Sequence, residues 1–150
     1  MSEGMSVTVN AADFPGTPDD LMVRAVQTVL RGEGHAAGEI SVTLLDDDGI
    51  RALNKQYLGK DAPTDVIAFS LGEGETVLGD VYLGAAVARR QAEALEIALP
   101  EELARLAIHG VLHVLGHDHP DGPERSESPM FALQERYLAA TLAGDGEGDA

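Results

Sequence analysis

The chain has 150 residues, the size of one ordinary domain, and 44% of them are hydrophobic, enough for a core. It contains no cysteine, which excludes disulfide frameworks, thiolate metal sites and cysteine nucleophiles, so any transition-metal site must use His and carboxylate ligands. The net charge of −16, from 26 acidic against 10 basic residues, sets the field of the whole molecule against nucleic-acid phosphates.

In chain order, Val7-Thr8-Val9 alternates as a first strand. Thr17-Pro18-Asp19-Asp20 reads as a helix start, with a capping hydroxyl, an early proline and acids in the first turn. That helix is expected to run to about Leu30 and stop near Gly32. Ile40, Val42 and Leu44 alternate with Ser41 and Thr43, which predicts a second strand. Asp46 to Asp48 cap a second helix carrying Ile50, Leu53, Asn54 and Tyr57 on one face. Gly59 to Pro63 form a turn.

Val66 to Phe69 and Val77 to Leu83 predict two more strands, joined in hairpin fashion through Gly72-Glu73-Gly74-Glu75. Ala85 to Ile97 is Ala-rich and helical. Pro100 opens a helix running to about Leu115, with Gly116 as its stop. Ser128-Pro129 starts a last helix ending near Leu142. The expectation is an α+β fold: a small four-stranded mixed sheet packed with about five helices. Residues 1–143 are expected to form a single domain, and the Gly and acid tail 144–150 is expected to be disordered. The N-terminus lacks the basic start and apolar run of a signal peptide, and no apolar stretch is long enough for a membrane span, so cytoplasmic residence is expected.

The chemistry is concentrated in His109-Gly110-Val111-Leu112-His113-Val114-Leu115-Gly116-His117-Asp118-His119, which holds four of the five histidines. His109 and His113 are four residues apart on a predicted helix, so both imidazoles can grip one metal ion. A left-handed turn at Gly116 can bring His119 back as the third ligand. Three neutral imidazoles leave a fourth tetrahedral position open, which marks a catalytic rather than a structural zinc site. A zinc-bound water there loses its proton near neutral pH and becomes a nucleophile. Imidazole ligands also suit nickel, copper and iron. The three histidines and the glycine fall at the offsets of the zinc-protease pattern His-Glu-x-x-His-x-x-Gly-x-x-His. However, Gly110 stands where that pattern places its general-base Glu, which argues against peptide hydrolysis.

The same segment resembles the YbeY family signature, His-Gly-x-Leu-His-Leu-x-Gly-Tyr-Asp-His. Two further blocks are similar to that family's: Tyr57-Leu58-Gly59-Lys60-Asp61-Ala62-Pro63-Thr64-Asp65-Val66-Ile67-Ala68-Phe69 and Leu78-Gly79-Asp80-Val81. The three blocks stand in the family's order from about Asn54 to His119. The resemblance implies one zinc ion per chain, held by His109, His113 and His119, in a single metal-dependent hydrolase domain (residues 1–143) whose metal-binding helix lies beside the sheet. It implies a zinc-dependent, single-strand-specific endoribonuclease acting in small-subunit rRNA 3′-end maturation, ribosome quality control, or both. The partners implied are rRNA, the small ribosomal subunit and protein partners, with no membrane and no DNA.

Two positions depart from the family pattern. Leu58 stands where the family usually has an Arg that helps hold RNA; a guanidinium can clamp phosphate and Leu cannot. Arg51 or Lys60 could stand in. His117 replaces the usual Tyr, and is either an acid or base near pH 7 or a residue hydrogen-bonded locally in the Tyr position. Asp118 either orients a ligand imidazole or caps a turn. Thr64 and Asp65 either reach a pocket or make turn contacts. Asp80, inside an apolar strand, is a candidate buried acid needing a histidine or a helix N-terminus to satisfy it. Two other readings stand beside the nuclease: a peptidase-like zinc hydrolase, and a non-enzymatic ribosome-assembly factor whose zinc only stabilises the fold.

Overall fold

The computed structural model describes residues 5–72, 76–117 and 128–143. The strands are β1 (Met5–Asn10), β2 (Gly38–Leu45), β3 (Val66–Ser70) and β4 (Leu78–Gly84). The helices are α1 (Asp19–Gly32), α2 (Asp47–Leu58), α3 (Ala85–Leu95), α4 (Leu99–Val114) and α5 (Pro129–Ala143). One mixed sheet runs in the order β1-β2-β4-β3. The β1-β2 and β2-β4 pairs are parallel, and β3 closes the edge antiparallel to β4. Among the described residues this is the α+β architecture with a four-stranded mixed sheet and five helices that the sequence predicts. The expected tail 144–150 and the hairpin residues Glu73, Gly74 and Glu75 lie outside the described residues.

The strand alternation decides which face is covered. Ile40, Val42 and Leu44 of β2, with Val81 and Leu83 of β4, are buried and join the α1 and α4 side chains in one core. The intervening positions face the other way. There the Ser41 hydroxyl donates to Asp80 Oδ1 over 2.8 Å. Asp80 is therefore half-buried on the outer sheet face and satisfied by a neighbouring strand, not by a histidine or helix end as its apolar surroundings suggested.

α4 is the central helix: it packs on α1, α3, α5, β3 and β4. Eleven of its residues are buried, including His109 and Gly110. Gly110 is where the helix crosses the sheet. A Cβ there would lie 2.5 Å from Val81 Cγ1 and 3.2 Å from Val66 Cγ2. α4 ends as the sequence suggests, because Gly116 takes φ +101. The Gly116 amide then donates to the His113 carbonyl (3.0 Å) and the His117 amide to the Leu112 carbonyl (2.9 Å), the paired bonds of a left-handed helix stop.

Two helix signals are realised differently. The Thr17 hydroxyl donates to the Phe14 carbonyl (2.5 Å) instead of capping α1. α1 also runs through Gly32 and stops at Gly34, which holds the positive φ of +87. Gly32 is there for space, since a Cβ would meet the Tyr137 ring at 2.3 Å. No helix among the described residues is long and apolar enough to cross a membrane.

Candidate metal centre

His109 and His113 face the same way, one turn apart on α4. Their Nε2 atoms are 3.1 Å apart and the rings meet edge to face. Two nitrogens on one tetrahedral zinc, each about 2.0–2.1 Å from the metal, would be separated by about 3.3 Å. The pair is therefore spaced as two ligands of one ion. His119, the third candidate ligand, and Asp118 lie outside the described residues.

His109 is buried, and its Nδ1–H donates to Gln134 Oε1 over 2.6 Å. Gln134 is equally buried on α5, and its amide nitrogen donates to Glu135 Oε2 (2.9 Å). With the proton held on Nδ1, the His109 Nε2 lone pair is turned toward His113. This is the tautomer a metal ligand needs, set by a partner beyond the ligand itself. Gln134 had no signal in the sequence, because an amide in an amphipathic helix carries no motif.

His117 is hydrogen-bonded, but to a partner across the fold and not to a local one. Its Nε2 meets Glu33 Oε1 at 2.7 Å, and Tyr137 donates its hydroxyl to Glu33 Oε2 at 2.6 Å. The partner is 84 residues away at the end of α1, so the contact ties the exit of α4 to α1 and α5. Burial alone would raise the Glu33 carboxyl, but the hydrogen bonds from Tyr137 and His117 and the nearby His charges outweigh it and hold the group below the usual carboxylate range. Burial, followed by the hydrogen bond to Glu33 and the charge of that carboxylate, pushes the Tyr137 hydroxyl up to about 12.

A cleft opens beside His109, lined by residues of α3, α4 and α5 and by Asp65, just before β3. Asp65 accepts from Gln91 Nε2 (3.2 Å) and from the Thr64 hydroxyl (3.4 Å). Thus Asp65 does reach a pocket, and Thr64 braces it. Deeper in, Glu102 and Arg105 form an ion pair (3.4 Å), and Arg105 also lies 3.3 Å from Glu135. Burial pushes the Glu102 carboxyl above the usual range, and the Arg105 charge only partly offsets it.

Of the two basic positions that could stand in for an arginine at Leu58, Arg51 offers little. Leu58 is 56% exposed. Arg51 is engaged by Asp61 through bonds of 2.7 and 3.3 Å, so its guanidinium is already matched to a carboxylate.

The family model described as Endoribonuclease YbeY matches residues 12–141. Endoribonuclease YbeY of Bacillus subtilis (strain 168) is 39% identical over 153 residues, covering 91% of this chain and 96% of the relative. Endoribonuclease YbeY of Pelotomaculum thermopropionicum is 46% identical over 114 residues, covering 70% and 75%. The solution structure of TM1509 from Thermotoga maritima superposes with a TM-score of 0.63 at 25% identity, over 96% of this chain and 99% of that one.

Proposed function

The chain belongs to the endoribonuclease YbeY family, and we propose on that footing that it is a zinc-dependent endoribonuclease that cuts single-stranded RNA in small-subunit rRNA 3′-end maturation and ribosome quality control. The observation that carries the metal part is the 3.1 Å convergence of His109 Nε2 and His113 Nε2, with His109 Nδ1 tied to Gln134. His109, His113 and His119 would hold the ion. Zinc bound by imidazoles polarises phosphoryl oxygens and acidifies water toward neutral pH. The residues of this chain do the rest: Gln134 keeps His109 in the ligating tautomer, Gly110 seats α4 on the sheet, and the Gly116 turn directs the chain after His113.

Two observations weigh against the other readings. Position 110 faces Val81 and Val66 of the sheet, so no carboxylate base fits where the protease pattern puts one. An inert, closed zinc site needs a fourth protein ligand such as His117, yet His117 Nε2 is engaged by Glu33. The charge of −16 and the exposed Leu58 point to weak binding of naked RNA and to help from ribosomal partners in the cytoplasm.

The test is cleavage of a single-stranded rRNA 3′-end fragment by zinc-loaded protein, alone and with small subunits, beside His113→Ala. Cutting by the wild type alone supports the reading. Equal cutting by both proteins, or none in either condition, rejects it.

A further inference from the structure

The carboxyl ends of the parallel strands hold a second cavity, away from the histidines. β1, β2 and β4 run parallel and feed α1, α2 and α3, so those three helices all start at this end. α4 starts here too, since Leu99 and Pro100 line the cavity. Leu99 lies about 15 Å along the α4 axis from His109, at ~1.5 Å per residue. Crevices outside the carboxyl ends of parallel strands are where open α/β sheets bind their ligands. This one has a volume of about 250 Å³, below the ~300–1,000 Å³ of pockets that enclose a whole small molecule. It is room for one side chain. Phe14, Pro18, Leu44, Leu99 and Leu103 give it apolar walls, and Asp13 and Arg89 give it polar ones.

The wall at Phe14 is fixed from both sides. The Phe14 amide donates to the Ala11 carbonyl (2.9 Å), and the Phe14 carbonyl accepts from the Thr17 amide (3.3 Å) and hydroxyl (2.5 Å). Thr17 thereby gives up the capping of α1, and α1, α3 and α4 all start without a side-chain cap bond. Departures from local preference gather at functional sites. The surroundings are acidic. Asp19 and Asp20 open α1, Asp46 to Asp48 open α2, and Glu101 is in the first turn of α4. Carboxylates at helix starts complement the helix dipoles, but here the shared end of the sheet also gathers them with Asp13 of the lining. Of the nearby arginines, Arg90 is already held by Asp47 at 3.5 Å. Such a rim repels nucleic-acid phosphates and attracts a basic chain.

We propose that this cavity docks a basic segment of a partner protein, which seats one apolar side chain between Phe14 and Leu103 and sets its Lys and Arg side chains against the surrounding carboxylates. The seated side chain is the anchor. Enclosed apolar groups carry most of the binding energy in such contacts, while rim charges speed and orient association. Arg89 is exposed at the rim and donates to the partner's backbone carbonyls. The docking face is separate from the histidines, so the inference stands without the nuclease reading. Joined to it, docking lets a protein partner bring this acidic chain to an RNA that its own field repels.

The test is an NMR titration of the full-length protein with a short synthetic peptide that has Phe at its centre and Lys or Arg elsewhere. Control peptides replace the Phe by Ala, or the basic residues by Glu. Shifts should centre on Phe14, Leu44, Leu99 and Leu103, and the Phe peptide should bind about tenfold or more tightly than the Ala peptide, as burial of one large apolar side chain requires. Pro15→Trp, which fills the rim from an exposed turn position, should abolish that difference, and Asp13→Lys should weaken both basic peptides. The peptide comparison on the wild type decides the matter even if a variant does not fold. Equal binding of the Phe and Ala peptides would mean attraction by charge alone and would overturn the proposal. So would a Phe peptide that leaves the cavity resonances unmoved, or an acidic peptide or single-stranded RNA that moves them instead. None of these results involves cleavage, so a failure of docking and a failure of the nuclease reading are told apart.

Discussion

Gly110→Ala sets two effects of opposite sign against each other. In an exposed helix interior this change stabilises by about 1 kcal/mol, because alanine gives up less backbone entropy. Here the added Cβ would sit 2.5 Å from Val81 Cγ1 and 3.1 Å from Val81 Cγ2. Val81 is fully buried in the middle of β4 and has nowhere to retreat. Overpacking a dense core by one methyl costs typically ~1–3 kcal/mol, and the 2.5 Å overlap argues for the upper part of that range. The expected net effect is destabilisation of about 1–2 kcal/mol. For a chain of this size that lowers Tm by about 2–8 °C, read by circular dichroism at fixed pH and zinc concentration. Lifting α4 off the sheet also shifts His109 and His113, so zinc affinity should fall in the same variant. An unchanged or raised Tm would refute the reasoning, since it would show that propensity outweighs the contact and that Gly110 does not set the seat of α4.

Gln134→Leu, which leaves His109 Nδ1 without its acceptor, should weaken zinc binding about 10- to 100-fold in a chelator competition, while Gln134→Glu keeps most of the affinity. Glu33 has a lowered pKa in the folded chain. Its contribution to stability is therefore present above the ordinary carboxylate range and lost as pH falls through the lowered value. Accordingly, Glu33→Gln should unfold at lower urea than wild type at pH 7, with the gap closing in acid. Tyr137, raised to about 12, contributes stability below its ordinary value near ~10 that is lost as pH rises through about 12, so Tyr137→Phe should blunt alkaline unfolding. Leu58→Arg should strengthen binding of a short single-stranded RNA and steepen its log–log salt dependence by about 0.7, the value for one more phosphate contact.

Local signals were legible where a residue's role is settled within a few neighbours. The β2 alternation, the Asp46 cap, whose side chain accepts from the Gly49 amide, and the Gly116 stop all depend on nearby backbone. The four-residue spacing of His109 and His113 likewise needs only a helix to bring the rings together. Roles set by tertiary contact were hidden. Gly32 reads as a stop but is kept small for Tyr137, and the stop falls at Gly34. Thr17 reads as a cap but turns to Phe14. Gln134, Glu33 and Glu102 act across 25, 84 or more residues or through burial alone, and no spacing in the chain announces them. Asp80 could not be assigned to a sheet face without the register that pairs it with Ser41.

The most direct test of the account is X-ray absorption spectroscopy of the zinc-loaded protein, which counts the atoms bound to the metal. The account predicts one zinc with three imidazole nitrogens at about 2.0–2.1 Å and one oxygen from solvent, and the loss of one nitrogen in His119→Ala. Four imidazole nitrogens would mean a closed, structural site, and failure to bind zinc would remove the centre altogether; either result would contradict it.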